Sequence, residues 1–242
     1  ILLVRMNYII LGINGAIGRS ILNNIYNPRD NFILTYHSKK PNIKKKNIFL
    51  FNIDFSKPNK LKSKIIKIIK KFKKIDVLIN NVGNANPYKD ILKVKLSEIE
   101  NSMKINFYSP LTITLLVLKN NIKFNKKLNV INISTNTIKF FGSRKNLPYL
   151  VSKNALETAL LNLSKQYSKK LIKINIIRPG VIESKMKNNI KNYSKKDFVE
   201  RKKLIPVGKA GMPIDISNAV NFLISDKSNF VYGQILTISG GE

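Results

Sequence analysis

The sequence contains no cysteine and only one histidine, His37, among its 242 residues. Without cysteine the chain cannot form disulfides, use a thiol nucleophile or bind metals through thiolates. This composition fits a reducing compartment, so we expect a cytoplasmic protein. A single histidine argues against a histidine-based metal site and against a Ser-His-Asp triad, and we expect no metal cofactor. No apolar run reaches the roughly 18–20 residues that a membrane-spanning helix needs.

Acidic residues are also scarce, with 13 Asp and Glu against 44 Lys and Arg, which gives a formal net charge of +31. Such an excess can attract nucleic acid, anionic membranes or acidic proteins. Lysine, asparagine and isoleucine are nevertheless abundant along the whole chain, as expected from an AT-rich genome. The densest basic stretch, Lys60 to Lys74, carries apolar residues at helical spacing and therefore predicts an amphipathic helix with a solvated face. We attribute the charge mainly to codon bias and predict neither a nucleic-acid nor a membrane partner.

Short apolar runs alternate with longer segments of helical periodicity. The runs predict strands at Tyr8–Leu11, Phe32–Tyr36, Ile48–Asn52, Val77–Asn80, Asn129–Ile133, Ile172–Ile177 and Gln234–Ile238, and the periodic segments predict helices near residues 17–27, 60–74, 97–120, 149–169 and 213–225. This alternation is typical of βαβ units. We predict one α/β domain over residues 1–242, built on a doubly wound parallel sheet of about seven strands with helices on both faces. Residues 1–5 are interpreted as an extension upstream of Met6 or as an extended start of the first strand. We expect no signal peptide, because the glycine loop comes too early for one.

In a parallel sheet of this kind, ligands bind beyond the carboxyl ends of the strands. The first predicted strand is followed by Gly12-Ile13-Asn14-Gly15-Ala16-Ile17-Gly18 and then a helical pattern. This order favours dinucleotide binding over plain strand-to-helix packing, because glycines let a pyrophosphate approach the backbone at a helix N-terminus. A carboxylate after the second strand would bind the ribose 2′-hydroxyl of NAD(H) and repel the 2′-phosphate of NADP(H). This loop instead contains Ser38 and Lys39, which could bind the phosphate, so the sequence favours NADP(H) over NAD(H).

Polar residues follow the next strands as well. Asp54 either accepts a hydrogen bond from an adenine amine or caps a turn. Asn80-Asn81-Val82-Gly83 places short amides and a glycine near the expected cofactor, where Asn80 and Asn81 either face it or only satisfy loop backbone groups. Ser134-Thr135 follows the fifth strand and offers a hydroxyl that can bind the oxygen of a substrate carbonyl. The segment from Arg178 through Pro179, Gly180 and Ile182 to Ser184 turns sharply and exposes amides that can hold a carboxamide.

Tyr149-Leu150-Val151-Ser152-Lys153 places a phenol and an ammonium on one face of a predicted helix. A nearby cation lowers the pKa of tyrosine from about 10, and a tyrosine tuned in this way can exchange a proton with a substrate oxygen near neutral pH. The pair is common by chance. Its meaning therefore depends on the cofactor and hydroxyl motifs around it.

Taken in this order, the motifs resemble the short-chain dehydrogenase/reductase family, and the likeness runs from Met6 to the end of the chain. It is greatest for the single-domain branch that includes 3-oxoacyl-acyl-carrier-protein reductases. The C-terminal part contributes Pro206-Val207-Gly208-Lys209-Ala210-Gly211-Met212-Pro213, Ala219-Val220-Asn221-Phe222-Leu223, Tyr232-Gly233-Gln234 and Ser239-Gly240-Gly241.

The resemblance implies a Rossmann-type fold, NADPH-dependent reduction of a ketone, and a homotetramer or homodimer. The substrate stays open between a 3-oxoacyl thioester on acyl carrier protein and a sugar-derived or other small carbonyl compound. Lys126 and Lys170 fall near the positions at which the fatty-acid reductases carry basic partner-binding residues. Residues 184–206 would form the substrate lid.

Residue roles follow from the same resemblance. Tyr149 would donate the proton, Lys153 would lower its pKa and bind the nicotinamide ribose, and Asn106 would hold a relay water. The hydroxyl of Ser134 or Thr135 would complete the catalytic set. The expected cofactor contacts are Gly12, Asn14, Gly15, Ile17, Gly18, Ser38, Lys39, Asp54, Asn80, Val82, Gly83, Tyr149, Lys153, Pro179, Gly180, Ile182 and Ser184.

Three departures from the family pattern bear on these assignments. Ala16 occupies the usual middle glycine position with Gly15 before it, and Val82 replaces an alanine in the Asn-Asn-Ala-Gly motif. The common spacing to the tyrosine places the catalytic serine at Asn136, whereas alignment of the strands places it at Thr135. A non-catalytic binding protein with the same fold is the alternative of another class. The intact set of Tyr149, Lys153 and Asn106 argues against it.

Overall fold

A computed structural model of the chain describes residues 5–85, 90–141, 146–183 and 195–242, with only the backbone described at 195–198. Its strands are β1 (Asn7–Leu11), β2 (Asn31–Tyr36), β3 (Ile48–Asn52), β4 (Val77–Asn80), β5 (Leu128–Ile133), β6 (Ile172–Pro179) and β7 (Ile235–Ile238). Its helices are α1 (Ala16–Ile25), α2 (Pro58–Phe72), α3 (Leu96–Met103), α4 (Ser109–Lys123), α5 (Leu147–Tyr167), α6 (Lys195–Lys203) and α7 (Pro213–Ile224). Each predicted strand is confirmed to within two residues at either end.

The strands form one parallel sheet in the order β3-β2-β1-β4-β5-β6-β7. The central strand β1 pairs with β2 on one side and with β4 on the other, so that Ile10 lies opposite both Leu34 and Ile79. The chain therefore adds strands on one side of β1 as far as β3, and then on the other side of β1 from β4 to β7. In open α/β sheets such a switch opens a crevice at the carboxyl ends of the strands, where ligands bind.

Helices cover both faces of this sheet. In β1, Ile9 and Leu11 belong to a core cluster with α2, α4 and α5, whereas Tyr8 and Ile10 belong to a second cluster with α1 and α7. Alternate residues of one strand thus enter different cores, and all five residues of β1 are buried. This is why the strands read as continuous apolar runs instead of alternating polar and apolar residues. The predicted doubly wound α/β fold is confirmed.

The expected amphipathic helix is α2. Its apolar residues Leu61, Ile65, Ile68 and Ile69 are buried, and the lysines between them are exposed. Near the site, the segment predicted as one helix over 97–120 consists of α3 and α4 joined by a π-helical stretch, Lys104–Tyr108. Helix α6 was not predicted and lies inside the expected lid, whose residues 184–194, including Ser184, fall outside the described part of the chain.

Within the described residues, no helix is both long and apolar enough to cross a membrane. The same part of the chain brings together no group of three or more His, Cys, Asp or Glu side chains suited to a metal ion.

Candidate active site

The loop after β1 is shaped by its glycines. Gly12 has a φ of +76°, which glycine adopts without strain. A Cβ at Gly18 would lie 2.7 Å from the Gly12 carbonyl oxygen and 2.8 Å from Asn81 Nδ2, so only glycine fits between the loop and helix α1. At Gly15 such a Cβ would make only ordinary van der Waals contacts, with the Gly12 carbonyl oxygen at 3.9 Å and Asn81 Nδ2 at 4.0 Å.

Helix α1 begins directly after Gly15. Gly15 is its N-cap residue, and among the described residues no side chain caps the helix and no acidic residue lies in its first turn. The N–H groups of the first turn and the positive end of the helix dipole therefore remain available to an anion. Asn14 closes the outer side by donating from Nδ2 to the Lys39 carbonyl oxygen at 2.7 Å. This cradle fits the pyrophosphate of a dinucleotide.

The loop after β2 lies at the outer end of this cradle. Ser38 and Lys39 are exposed, and the neighbouring His37 lies 3.7 Å from Asp54. Asp54 accepts hydrogen bonds from the backbone N–H and the hydroxyl of Ser56, which together with Lys57 lower its pKa to about 2. Asp54 therefore caps the turn after β3. Its contact with an adenine stays a prediction.

The loop after β4 lies against the glycine loop. Asn81 Nδ2 donates to the Gly12 carbonyl oxygen at 2.9 Å and holds the two loops together. Asn80 points the other way, since its side chain is buried and donates to Thr114 in α4 at 3.1 Å. The contact of Asn81 matches the structural alternative offered for it by the sequence, a side chain that satisfies loop backbone groups. The position of Asn81 after an asparagine in a strand-end motif was the only available signal.

Tyr149 and Lys153 lie on adjacent turns near the start of α5, as predicted. Lys153 is 2% exposed, and its Nζ donates to the carbonyl oxygens of Val82 and Ile133, both at 2.8 Å. These carbonyls follow β4 and end β5, so the ammonium joins two loops at the carboxyl edge of the sheet. Gly83 lies directly against the pair, because a Cβ there would meet Lys153 Nζ at 3.3 Å and Tyr149 Cε2 at 3.7 Å.

The expected lowering of the tyrosine pKa is not seen. Burial raises the pKa of Tyr149 to about 12, although a hydrogen bond with Thr135 opposes the rise. Burial also lowers the pKa of Lys153 to about 8, with the negative charge of Glu157 acting in the opposite direction. The Lys153 ammonium binds two carbonyl oxygens and lies 6.0 Å from the centre of the tyrosine ring, so it offsets little of the desolvation of the phenol. Without a ligand, Tyr149 is therefore a neutral proton donor.

The two candidate hydroxyls after β5 have different surroundings. Thr135 acts on the pKa of the Tyr149 phenol, and its Oγ1 lies 2.8 Å from the hydroxyl of Thr137. Ser134 is 5% exposed, and its hydroxyl has no hydrogen-bond partner among the described residues. Asn136 is also buried and contacts the Glu242 carbonyl oxygen at 3.5 Å. Of the three positions, Thr135 is the one that meets the phenol.

Asn106 lies fully buried within the π-helical stretch between α3 and α4. Its Oδ1 accepts from the Asn84 N–H at 2.9 Å, and its Nδ2 approaches the hydroxyls of Ser102 and Ser152, each at 3.0 Å. Short π-helical turns occur frequently at functional sites. Asn84, Ser102 and Ser152 were missed on sequence grounds, although Ser152 lies inside the Tyr149–Lys153 segment.

The turn after β6 completes the edge. Gly180 donates to the Ile238 carbonyl oxygen at 2.9 Å, and a Cβ there would lie 2.7 Å from the Cα of Ser239, so the close approach requires glycine. Ile182 is buried and forms an isolated parallel bridge with Gly211. Sequence reasoning passed over one further contact here, an ion pair between Arg178, just before Pro179, and the buried Glu157 of α5.

These residues lie along the carboxyl edge of the sheet, from the glycine loop after β1 to Tyr149 and Thr135. The close-packed glycines and the uncapped start of α1 suit a pyrophosphate, and the orphaned oxygen of Asn14 and hydroxyl of Ser134 are buried polar atoms beside the same edge. A dinucleotide thus fits the residues present. At the end that holds Tyr149, a hydroxyl, a neutral phenol and an ammonium converge, as reduction or oxidation at a C–O bond requires.

Comparison with known proteins points to the same kind of chemistry. A family model described as enoyl-(acyl carrier protein) reductase matches residues 16–242. Among curated relatives, the 3-oxoacyl-acyl-carrier-protein reductase FabG of Buchnera aphidicola subsp. Schizaphis graminum is 32% identical over 199 residues, which cover 81% of this chain and 78% of the relative. The protein of the same name from Chlamydia trachomatis is 31% identical and covers 78% and 74%.

Solved structures share the fold. ElxO with NADP bound has a TM-score of 0.87 and 22% identity, covering 98% of both chains. Ligand-free aldohexose dehydrogenase of Thermoplasma acidophilum has a TM-score of 0.85 and 22% identity, covering 98% of this chain and 93% of that one.

Proposed function

The chain belongs to the short-chain dehydrogenase/reductase family, and from that premise we propose that it is an NADPH-dependent reductase that transfers hydride to a ketone. Membership makes it an NAD(P)-dependent oxidoreductase that acts on CH–OH and C=O groups. The contact that carries the proposal is the one between Thr135 and Tyr149, with the Lys153 ammonium one helical turn behind it.

The proposed mechanism assigns one task to each side chain. A bound nicotinamide supplies the hydride. The hydroxyl of Thr135 donates a hydrogen bond to the substrate oxygen and stabilises the negative charge that develops there. Tyr149 gives its proton to the same oxygen, for which its pKa of about 12 keeps it protonated at neutral pH. Lys153 stabilises the phenolate that remains, and a water held near Asn106 would return the proton.

The choice of NADPH over NADH rests on the loop after β2. His37, Ser38, Lys39 and Lys40 are exposed there, and none of them is acidic. A 2′-phosphate would meet hydroxyl and ammonium donors, whereas the 2′-hydroxyl of NADH would find no carboxylate in this loop. The bound NADP in the ElxO structure supports the same choice by analogy of fold.

We infer that the substrate is a 3-oxoacyl thioester carried by acyl carrier protein. Support comes from the names of the curated relatives and from Lys126 and Lys170, which are exposed cations suited to an acidic carrier. A sugar-derived or other small ketone is the second candidate, and the aldohexose dehydrogenase of the same fold is the observation that favours it.

The proposal is tested by following NADPH and NADH oxidation with a ketone panel. The panel contains acetoacetyl thioesters, free and on acyl carrier protein, together with ketosugars. We expect the carrier-bound thioester with NADPH to give the highest kcat/KM. Faster turnover of a ketosugar would replace the substrate assignment, and oxidation of neither cofactor with any ketone would contradict the function itself.

A further inference from the structure

A third polar residue continues the row formed by Tyr149 and Lys153 on helix α5. Glu157 follows Lys153 by four residues, so the three side chains lie on one face of the helix. Lys153 and Glu157 are both 2% exposed. The row therefore runs from the catalytic phenol into the interior between α5 and the sheet.

Glu157 is held there by a two-pronged ion pair with Arg178 of β6. Arg178 Nε lies 3.0 Å from Oε1 and 3.2 Å from Oε2 of the carboxylate, and Nη2 lies 2.5 Å from Oε2. The planar guanidinium fits a carboxylate in this arrangement, which fixes direction as well as distance. Because Pro179 and Gly180 follow Arg178 directly, the pair ties helix α5 to the turn that ends β6.

The pair also fixes the charge around Lys153. The carbonyl oxygens of Val82 and Ile133 bind the ammonium but carry no net charge. Glu157 is the carboxylate that counters the effect of burial on the pKa of Lys153. Removing one partner of a buried ion pair leaves the other as an uncompensated charge in a medium of low dielectric constant.

The other elements packed against this region present neutral groups. Helix α3 and the π-helical stretch contribute Ser102 and Asn106, and α4 contributes Thr114. The charged residues Glu100 and Lys104 of the same segment are about half exposed and pair with each other at 3.9 Å. Within the described residues, Glu157 is the charged group that acts on the pKa of Lys153, and Arg178 binds that carboxylate.

We propose that Glu157 and Arg178 are positioning residues for Lys153, an ion pair with a buried carboxylate and a partly exposed guanidinium that fixes α5 against β6 and keeps the lysine charged while Tyr149 transfers its proton. The proposal rests on the function assigned above to Lys153. It requires that the two partners act on Lys153 with opposite sign, and that the pH dependence of activity follows the same shifts.

The first test measures the titration of Lys153 in the cofactor-free protein by NMR of ¹³Cε-labelled lysine, with the resonance assigned by Lys153→Arg. Glu157→Gln leaves the cation of Arg178 alone and should lower the pKa of Lys153, whereas Arg178→Gln leaves the anion alone and should raise it. Each shift is expected to be about 1 unit. The double variant should return close to the wild-type value, and Arg178→Lys should stay near it.

A second measurement needs no variant of the pair. In the wild-type protein, the ¹³Cδ resonance of Glu157 should show a step at the midpoint of the Lys153 titration, and Lys153→Met should remove that step. This arm decides the question where a single variant does not fold. Shifts of the same sign in both single variants, or a missing step, would overturn the proposal.

The activity arm separates this proposal from the proposed function. With whichever ketone the panel identifies, the alkaline limb of kcat/KM should move down in pH for Glu157→Gln and up for Arg178→Gln, in parallel with the NMR midpoints. NMR shifts without movement of the limb would overturn the catalytic part of the proposal. If no ketone is turned over, the proposed function fails, and the NMR titration still tests the ion pair.

Discussion

Tyr149 is the side chain on which the chemistry depends, and it can be tested against a control on the same helix. Tyr149→Phe should lower kcat by about 10²–10⁴-fold, because the proton donor is lost while the ring remains. Cofactor affinity, measured by fluorescence titration, should be unchanged. Tyr167→Phe, at the far end of α5, should keep full turnover. Turnover by Tyr149→Phe at the wild-type rate would disprove the assignment.

The neighbouring hydroxyls Ser134 and Thr135 give a second test at this scale. Thr135→Ala should lower kcat by about 10²–10³-fold, the cost of losing one donor to a developing oxyanion, and Thr135→Ser should restore most of it. Ser134→Ala should have little effect on kcat, since the Ser134 hydroxyl has no partner among the described residues. Steady-state kinetics of the three variants decide between the two positions. A larger loss in Ser134→Ala than in Thr135→Ala would reverse the assignment.

For single residues, the sequence predicted which side chains form the site better than it predicted their burial and contacts. The motifs placed Tyr149, Lys153, Asn106 and Thr135 in one site, and the described residues bring them to one edge of the sheet. The direction of the tyrosine pKa was predicted wrongly, because it depends on burial of the phenol and on the direction of the Lys153 ammonium. Neither follows from a spacing of four residues. Ser102 and Ser152 were missed because their contacts join distant segments.

Among the elements, the end of helix α5 offers a test of backbone conformation. The helix is followed by a 3₁₀ turn, Ser168–Lys170, and then by Leu171, whose φ of 62° and ψ of 25° are left-handed and which is 43% exposed. A residue with a Cβ pays about 1–2 kcal/mol in this conformation, whereas glycine does not. Leu171→Gly should therefore stabilise the protein by roughly 0.5–1 kcal/mol after its greater unfolded-state entropy is counted.

Urea unfolding checks this prediction, with Leu171→Ala as the matched control. Alanine removes the same side-chain contacts but keeps the left-handed strain, so its midpoint should equal or fall below that of the wild-type protein. A glycine variant no more stable than the alanine variant would show that Leu171 is not strained.

The secondary-structure elements show which features a sequence pattern can predict and which it cannot. Strands buried on both faces read as apolar runs, and all of those predicted are present within two residues. The π-helical stretch at Lys104–Tyr108 was read as ordinary helix, because one shifted turn barely changes the apolar spacing of the flanking helices. Helix α6 was missed because lysine and polar residues dominate it and leave no apolar stripe.

For the molecule as a whole, charge is the dominant property, and its distribution is uneven. Fourteen of the lysines and one acidic residue, Asp54, lie between Lys39 and Lys74, along β3 and helix α2 at one edge of the sheet. All but Lys74 of these lysines are exposed. Like charges held this close destabilise the compact state unless salt screens them.

Raising NaCl from about 0.02 to about 0.5 M should therefore raise the melting temperature by roughly 2–4 °C, the shift that 1 kcal/mol gives in a chain of this size. Replacing Lys60, Lys62, Lys67 and Lys70 with glutamine should reduce this salt dependence. The same change at Lys119, Lys123, Lys126 and Lys127, outside the segment, should reduce it less. Equal effects of the two sets, seen by calorimetry, would show that total charge and not its clustering matters.

The strand order has a consequence for how the protein is made. Strand β4 pairs with β1 soon after residue 80 leaves the ribosome, but its other edge waits for β5, which begins at Leu128. At about 5–20 residues per second, that interval lasts roughly 2–10 s. During it the apolar edge of Val77, Leu78 and Ile79 is open to pairing with another nascent chain. Synthesis of the segment from 81 to 127 is thus one stage at which the nascent chain exposes an unpaired apolar strand edge.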